Sequence, residues 1–234
     1  MTRNSKNKPG FTFIELALSL VGIGVLTFSI ALTIINIYNS YNLQLSIKSV
    51  SQASRAIVAD LQTEIRSSQA FDPVLQNSHF KAIPNTSNPS GGRLCLGTYS
   101  YIWNYGDSLY SGTVGNNSFS DSTDKIKLIK ISDQDRNYCS DPDLQPKKND
   151  GLELLNSFDR PVVLYDFKIT SPDSNIDAST GRRSYYIEFT LGTNNPSTIN
   201  LSTNKCKQPN EEGSDLGICV SKLFSVTILS GGSI

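Results

Sequence analysis

FTFIELALSLVGIGVLTFSIALTIINIY, residues 11–38, decides the architecture of this 234-residue chain. From Leu16 to Ile47 there is no charged residue, and the stretch to Tyr38 is broken only by Ser, Thr, Gly and one Asn. A helix of roughly 20 apolar residues crosses a bilayer, so this segment is long enough to span one. The ten residues before it carry Arg3, Lys6 and Lys8 and no acid. Basic flanks stay on the cytoplasmic side, which puts the remainder of the chain outside. Glu15 then stands at the mouth of the span, an expensive place for a carboxylate. It needs a partner.

Downstream of the span, helical periodicity continues. Ile47, Val50, Ala53 with Ser54, Ile57, Leu61 and Ile65 recur at three- and four-residue steps between Lys48, Gln52, Arg55, Asp60, Glu64 and Arg66. That spacing gives an amphipathic helix with one stripe to bury. Pro73 predicts a stop near Ala70, for a helix from about Thr12 to Ala70. Beyond it the texture changes to short β-like runs between Gly, Pro, Asn, Asp and Ser clusters. The expected strands are Arg93–Tyr105, Lys125–Ile131, Pro161–Ile169, Tyr185–Leu191 and Leu223–Leu229. Without a repeated βαβ texture the sheet should be antiparallel. The expected fold is α+β: a long N-terminal helix packed on an antiparallel β domain. Its parts are a leader (1–10), a membrane-spanning helix (11–38), an amphipathic continuation (39–70) and a β-rich domain (71–234). Tyr110–Thr123, Asp141–Gly151 and Pro172–Arg182 read as polar loops.

Gly10 followed by Phe11, with Glu15 fifth after it and an apolar run beyond, resembles the processing site of a type IV prepilin. The resemblance implies that prepilin peptidase removes residues 1–10 and methylates the new amine on Phe11. The helix then anchors the subunit in the bacterial cytoplasmic membrane and later forms the filament core. It also implies other pilins and the inner-membrane assembly machinery as partners. Glu15 would pair with the N-terminal amine of a neighbouring subunit, the kind of partner a charge in a low-dielectric setting requires. Two other readings compete. A secretory signal peptide, cut after the small residues ending at Ala31, would remove Glu15 with the leader; a plain signal anchor leaves Glu15 unexplained. Asp60-Leu-Gln-Thr-Glu-Ile-Arg66 and the separate β segments look like the larger, PilW-type minor pilins and the related J-type pseudopilins. The function expected is that of a minor pilin in adhesion, motility or DNA uptake. A pseudopilin of a secretion or competence apparatus is the alternative within the class, and an anchored extracellular adhesin or ligand-binding module the alternative outside it.

Formal charge is zero; without the three basic leader residues it is 18 basic against 21 acidic, or −3. No strong nucleic-acid field follows. Cys95, Cys139, Cys206 and Cys219 form an even set in a chain expected to be exported, where disulfides persist. Three pairings are open, and Cys95–Cys139 with Cys206–Cys219 is preferred because it closes consecutive segments. No Cys-x-x-Cys is present and the one histidine, His79, has no neighbouring cysteine, so no metal site is expected. Tyr99, Tyr101, Trp103 and Tyr105 alternate and would share one strand face. Core packing is the favoured reading, and an exposed platform for a glycan or host surface the functional one. Asp133-Gln-Asp135-Arg-Asn137 begins like a calcium loop, but Tyr138 and Leu144 stand where the turn glycine and bidentate glutamate belong. Arg182-Arg183, Lys147-Lys148 and Lys125, Lys127, Lys130 read as solvated surface, with DNA capture as their functional alternative. With one His, no nucleophile motif and no phosphate loop, no enzyme and no cofactor are expected.

Overall fold

The computed structural model describes residues 12–73, 79–83, 91–106, 126–141, 144–156, 158–172, 177, 179–200 and 202–231. Leader residues 1–10, Phe11 and the expected loop Tyr110–Thr123 lie outside them. The chain forms two compact units, Met1–Asn42 and Leu43–Ile234.

Helix α1 spans Phe13–Ser67. Its residues in the first unit up to Tyr41 are exposed all round, as expected of a stretch with no polar face. In the second unit the helix buries Val50, Ala53, Ile57, Leu61 and Ile65, the stripe that three- and four-residue spacing requires. Ile47, expected on that stripe, is 46% exposed, and Ser46 and Ser49 are buried instead. Ser49 is inside because its hydroxyl accepts the Arg160 backbone N–H at 3.0 Å. The helix stops three residues before the expected end. Ser67 and Ser68 donate their hydroxyls to the carbonyls of Glu64 and Ile65 (both 2.9 Å), which also accept the Ser68 N–H in the last turn.

Five strands, β1 (Phe80–Ile83), β2 (Gly91–Cys95), β3 (Tyr99–Asn104), β4 (Leu128–Ser132) and β5 (Gly151–Glu153), form an antiparallel meander in that order. The segment expected as one strand, Arg93–Tyr105, is thus a hairpin of β2 and β3. Gly97 sits in its turn with φ +96°, a left-handed conformation open to glycine at little cost. Helix α2 (Asn137–Ser140) follows β4. A second sheet has the order β10-β7-β6, from β6 (Val162–Thr170), β7 (Ser184–Thr193) and β10 (Ser221–Leu229). β8 (Ile199–Asn200) and β9 (Lys205–Cys206) make a small hairpin.

The two larger sheets meet where Tyr105 bridges Leu164 in parallel and the Gly106 N–H donates to the Leu164 carbonyl at 2.8 Å. A Cβ on Gly106 would lie 2.8 Å from both Tyr165 and Val163 side chains, so glycine permits this approach. A file of rings crosses the junction: Phe80, Trp103, Phe167, Phe189 and Phe224, at successive centroid distances of 6.1, 4.6, 6.4 and 5.7 Å. Both sheets and the second part of α1 therefore share one hydrophobic core. On the other face of the first sheet, Ile102, Ile126, Ile129 and Ile131 pack together with Tyr138 beside them.

Candidate functional site

The segment 12–42 carries the features that point to an anchor. Thr12 and Glu15 form a reciprocal cap at the start of α1. The Thr12 N–H and hydroxyl donate to Glu15 Oε2 at 3.0 and 2.9 Å, and the Glu15 N–H reaches Thr12 Oγ1 at 3.4 Å. This is the Thr-x-x-Glu capping box, which partners donors that the first helical turn cannot satisfy itself. It gives Glu15 a local role that the sequence expectation missed, although the Thr12-Phe-Ile-Glu15 pattern was there to read. Gly10 and Phe11, the expected processing residues, lie outside the described residues.

Along the same segment the apolar side chains stand open to their surroundings, Phe13, Leu18, Val25, Phe28, Ile34 and Tyr38 among them. The hydroxyls interrupting the run are turned inward along the helix. Ser19 donates to the Glu15 carbonyl, Thr27 to Ile23 and Gly24, Ser29 to Val25 and Thr33 to Ser29, all between 2.7 and 3.0 Å. In hydrocarbon an unpartnered donor is costly, and back-bonding removes that cost. The helix is long and apolar enough to cross a membrane.

In the second unit, disulfides join Cys95 to Cys139 and Cys206 to Cys219, the pairing preferred from the sequence. The first holds α2 against β2, where buried Arg93 donates to the carbonyls of Tyr138 and Asp141 at 2.7 and 3.3 Å. The exposed aromatic platform is overturned. Trp103, Tyr101 and Tyr105 are 0, 2 and 7% exposed, and Tyr99 is half-buried. Their face of β3 lies on the shared core, where large rings release the most apolar area from water.

Asp133 of the calcium-like stretch is occupied structurally. Its carboxylate accepts the Ser100 hydroxyl at 2.6 Å and the backbone N–H groups of Asn137 and Tyr138 at 2.8 and 3.2 Å. His79 stacks on Phe71 with centroids 5.1 Å apart, and Arg136 Nη1 lies 2.6 Å from its Nε2. Burial and the neighbouring guanidinium lower its pKa from 6.5 to about 4, which keeps the ring neutral and Nε2 an acceptor. Half-buried Glu153 accepts the N–H groups of Lys127 and Leu128 at 2.9 Å each and of Leu155 at 3.2 Å.

Sequence reasoning also missed a polar cluster between α1 and the first sheet. Lys130, taken as surface, places Nζ 2.8 Å from both Asp60 Oδ1 and Glu64 Oε1, and 4.3 Å from the centre of the Tyr99 ring. The Tyr101 hydroxyl donates to the other oxygen of Asp60. Burial followed by the Asp60 carboxylate pushes the Tyr101 phenol far up, so it remains a donor. Asp60 and Glu64 are one turn apart on the helix, and Lys130 shares a face of β4 with Leu128, opposite Ile129 and Ile131. Only pairing of the two elements brings these charges together.

No protein-family model matches the chain, and no curated protein or solved structure matches it either.

Proposed function

We propose that the chain is a prepilin of the type IV class, and a minor subunit of the filament. The observation that carries this reading is the order Gly10, Phe11, Glu15 running directly into a helix whose apolar surface is open on every side. Prepilin peptidase cuts after Gly10 and methylates Phe11. The subunit waits in the bacterial cytoplasmic membrane as a single-pass protein with its N-terminus inside. It then moves into a surface filament, where the same helix packs against those of other pilins. Glu15 serves twice on this reading: it caps its own helix and offers a carboxylate to the amine of the next subunit. The second unit, with its two disulfides, suits an oxidising exterior.

Glu15→Gln separates the two roles, because glutamine supports a capping box but carries no charge. The variant should insert in the membrane and be cleaved normally, yet be missing from filaments sheared off the cell and probed by immunoblot. Normal incorporation would remove the charge-pairing role. Deleting the gene and scoring piliation, twitching, DNA uptake and protein secretion assigns the filament's task.

A further inference from the structure

The outer face of the β10-β7-β6 sheet carries a built cleft that the anchoring reading does not use. Strand register places Asp166, Thr190 and Leu223 in one row across the sheet, and Lys168, Glu188 and Ser225 in the next. Thr170, Tyr186 and Thr227 make a third. The turn 202–205 before and into β9 closes one end, and the enclosed volume is about 360 Å³. The Ser221 hydroxyl, bonded to the Asn204 carbonyl, fixes that wall to β10.

Three properties define what would fit. Asp166 and Glu188 are balanced by Lys168 and Lys205, so the lining has no net charge and selects against a strongly anionic or cationic ligand. Thr190 lines the cleft at only 6% exposure, and among the described residues its hydroxyl has no hydrogen-bond partner. It faces the open cleft, where a ligand hydroxyl can take the place of water as its partner. Tyr186 is 38% exposed beyond the open end, its hydroxyl donating to Glu188 Oε1 at 3.2 Å, and Leu223 offers a further apolar surface at 59% exposure.

Hydroxyl, carboxylate and ammonium groups beside an exposed ring and an aliphatic patch match a molecule with many hydroxyls and apolar C–H faces. We infer that this face binds a neutral oligosaccharide, with one ring in the cleft against Thr190, Glu188 and Leu223 and a following ring over Tyr186. Tyr186 and Thr190 are four residues apart on one strand, about 13 Å, enough for roughly two or three sugar rings. The site is independent of the buried aromatics of β3 and of N-terminal processing, so either reading can fail without the other.

The test uses the full chain in a non-glycosidic detergent on an array of neutral, sialylated and sulfated oligosaccharides. Retention by neutral glycans of two or more rings is expected, competed by the same free sugar. Thr190→Val and Tyr186→Ala should each weaken it about tenfold or more. Valine is close to isosteric with threonine, and an unchanged thermal midpoint with both disulfides intact shows the fold is kept. Absence of any neutral ligand, retention confined to sulfated or sialylated glycans and lost in salt, or binding that survives both substitutions overturns the assignment.

Discussion

Single residues in this chain settle questions that composition leaves open. Glu15 was expected to need a partner from another subunit, and it already has one in Thr12, three residues away. Local chemistry of this kind is readable from a four-residue pattern. His79 is different, because nothing in Gln76-Asn-Ser-His79-Phe announces Arg136 or the Phe71 ring; the contact with Arg136, 57 residues away, becomes visible only in the fold. Its pKa in the folded chain, about 4 against an ordinary 6.5, has a consequence for stability. Between those values the unfolded chain binds the proton more readily, so stability rises with pH across the window. The contribution is complete above about pH 6.5 and is lost as pH falls toward 4. Urea unfolding of wild type at pH 7 and 4.5 should show a drop in midpoint that His79→Gln reduces. Equal pH dependence in the two proteins would contradict the assignment.

At the scale of elements, helix α1 was legible because its spacing repeats over many turns, and four of the longer strands were legible from their β-rich runs. The short strands β1, β5, β8 and β9 escaped, since two to four residues carry too little periodicity to read. The β2–β3 hairpin escaped because Gly97 alone punctuates an otherwise strand-like run. Which strand lies beside which is set by pairing across long separations, and so is the Lys130 cluster. Removing its cation leaves two carboxylates facing each other at low exposure. Lys130→Met should cost roughly 2 to 3 kcal/mol in chemical denaturation, more than a surface ion pair yields. A loss below about 0.5 kcal/mol would place the cluster among solvated pairs. Trp103→Ala opens the middle of the ring file and should cost about 3 to 5 kcal/mol, with the loss read from the same denaturation curves.

For the whole molecule, the two units treat apolar surface in opposite ways. The first keeps an apolar surface open and its hydroxyls satisfied within the helix; the second joins two sheets and an amphipathic helix in one core and adds two covalent ties. The ties differ in reach, with sequence separations of 44 and 13. On the chain-entropy account, losing Cys95–Cys139 should cost about 4 kcal/mol and losing Cys206–Cys219 about 3 kcal/mol. Paired Cys→Ser variants compared by thermal unfolding check that order. The central claim concerns where the mature chain begins, since only a cut after Gly10 keeps Glu15 and joins it to a new amine. Mass spectrometry of the N-terminus of the protein purified from its native membrane tests this directly. The account predicts a mature chain beginning with N-methylated Phe11; an intact Met1, or a start at Leu32, would contradict it.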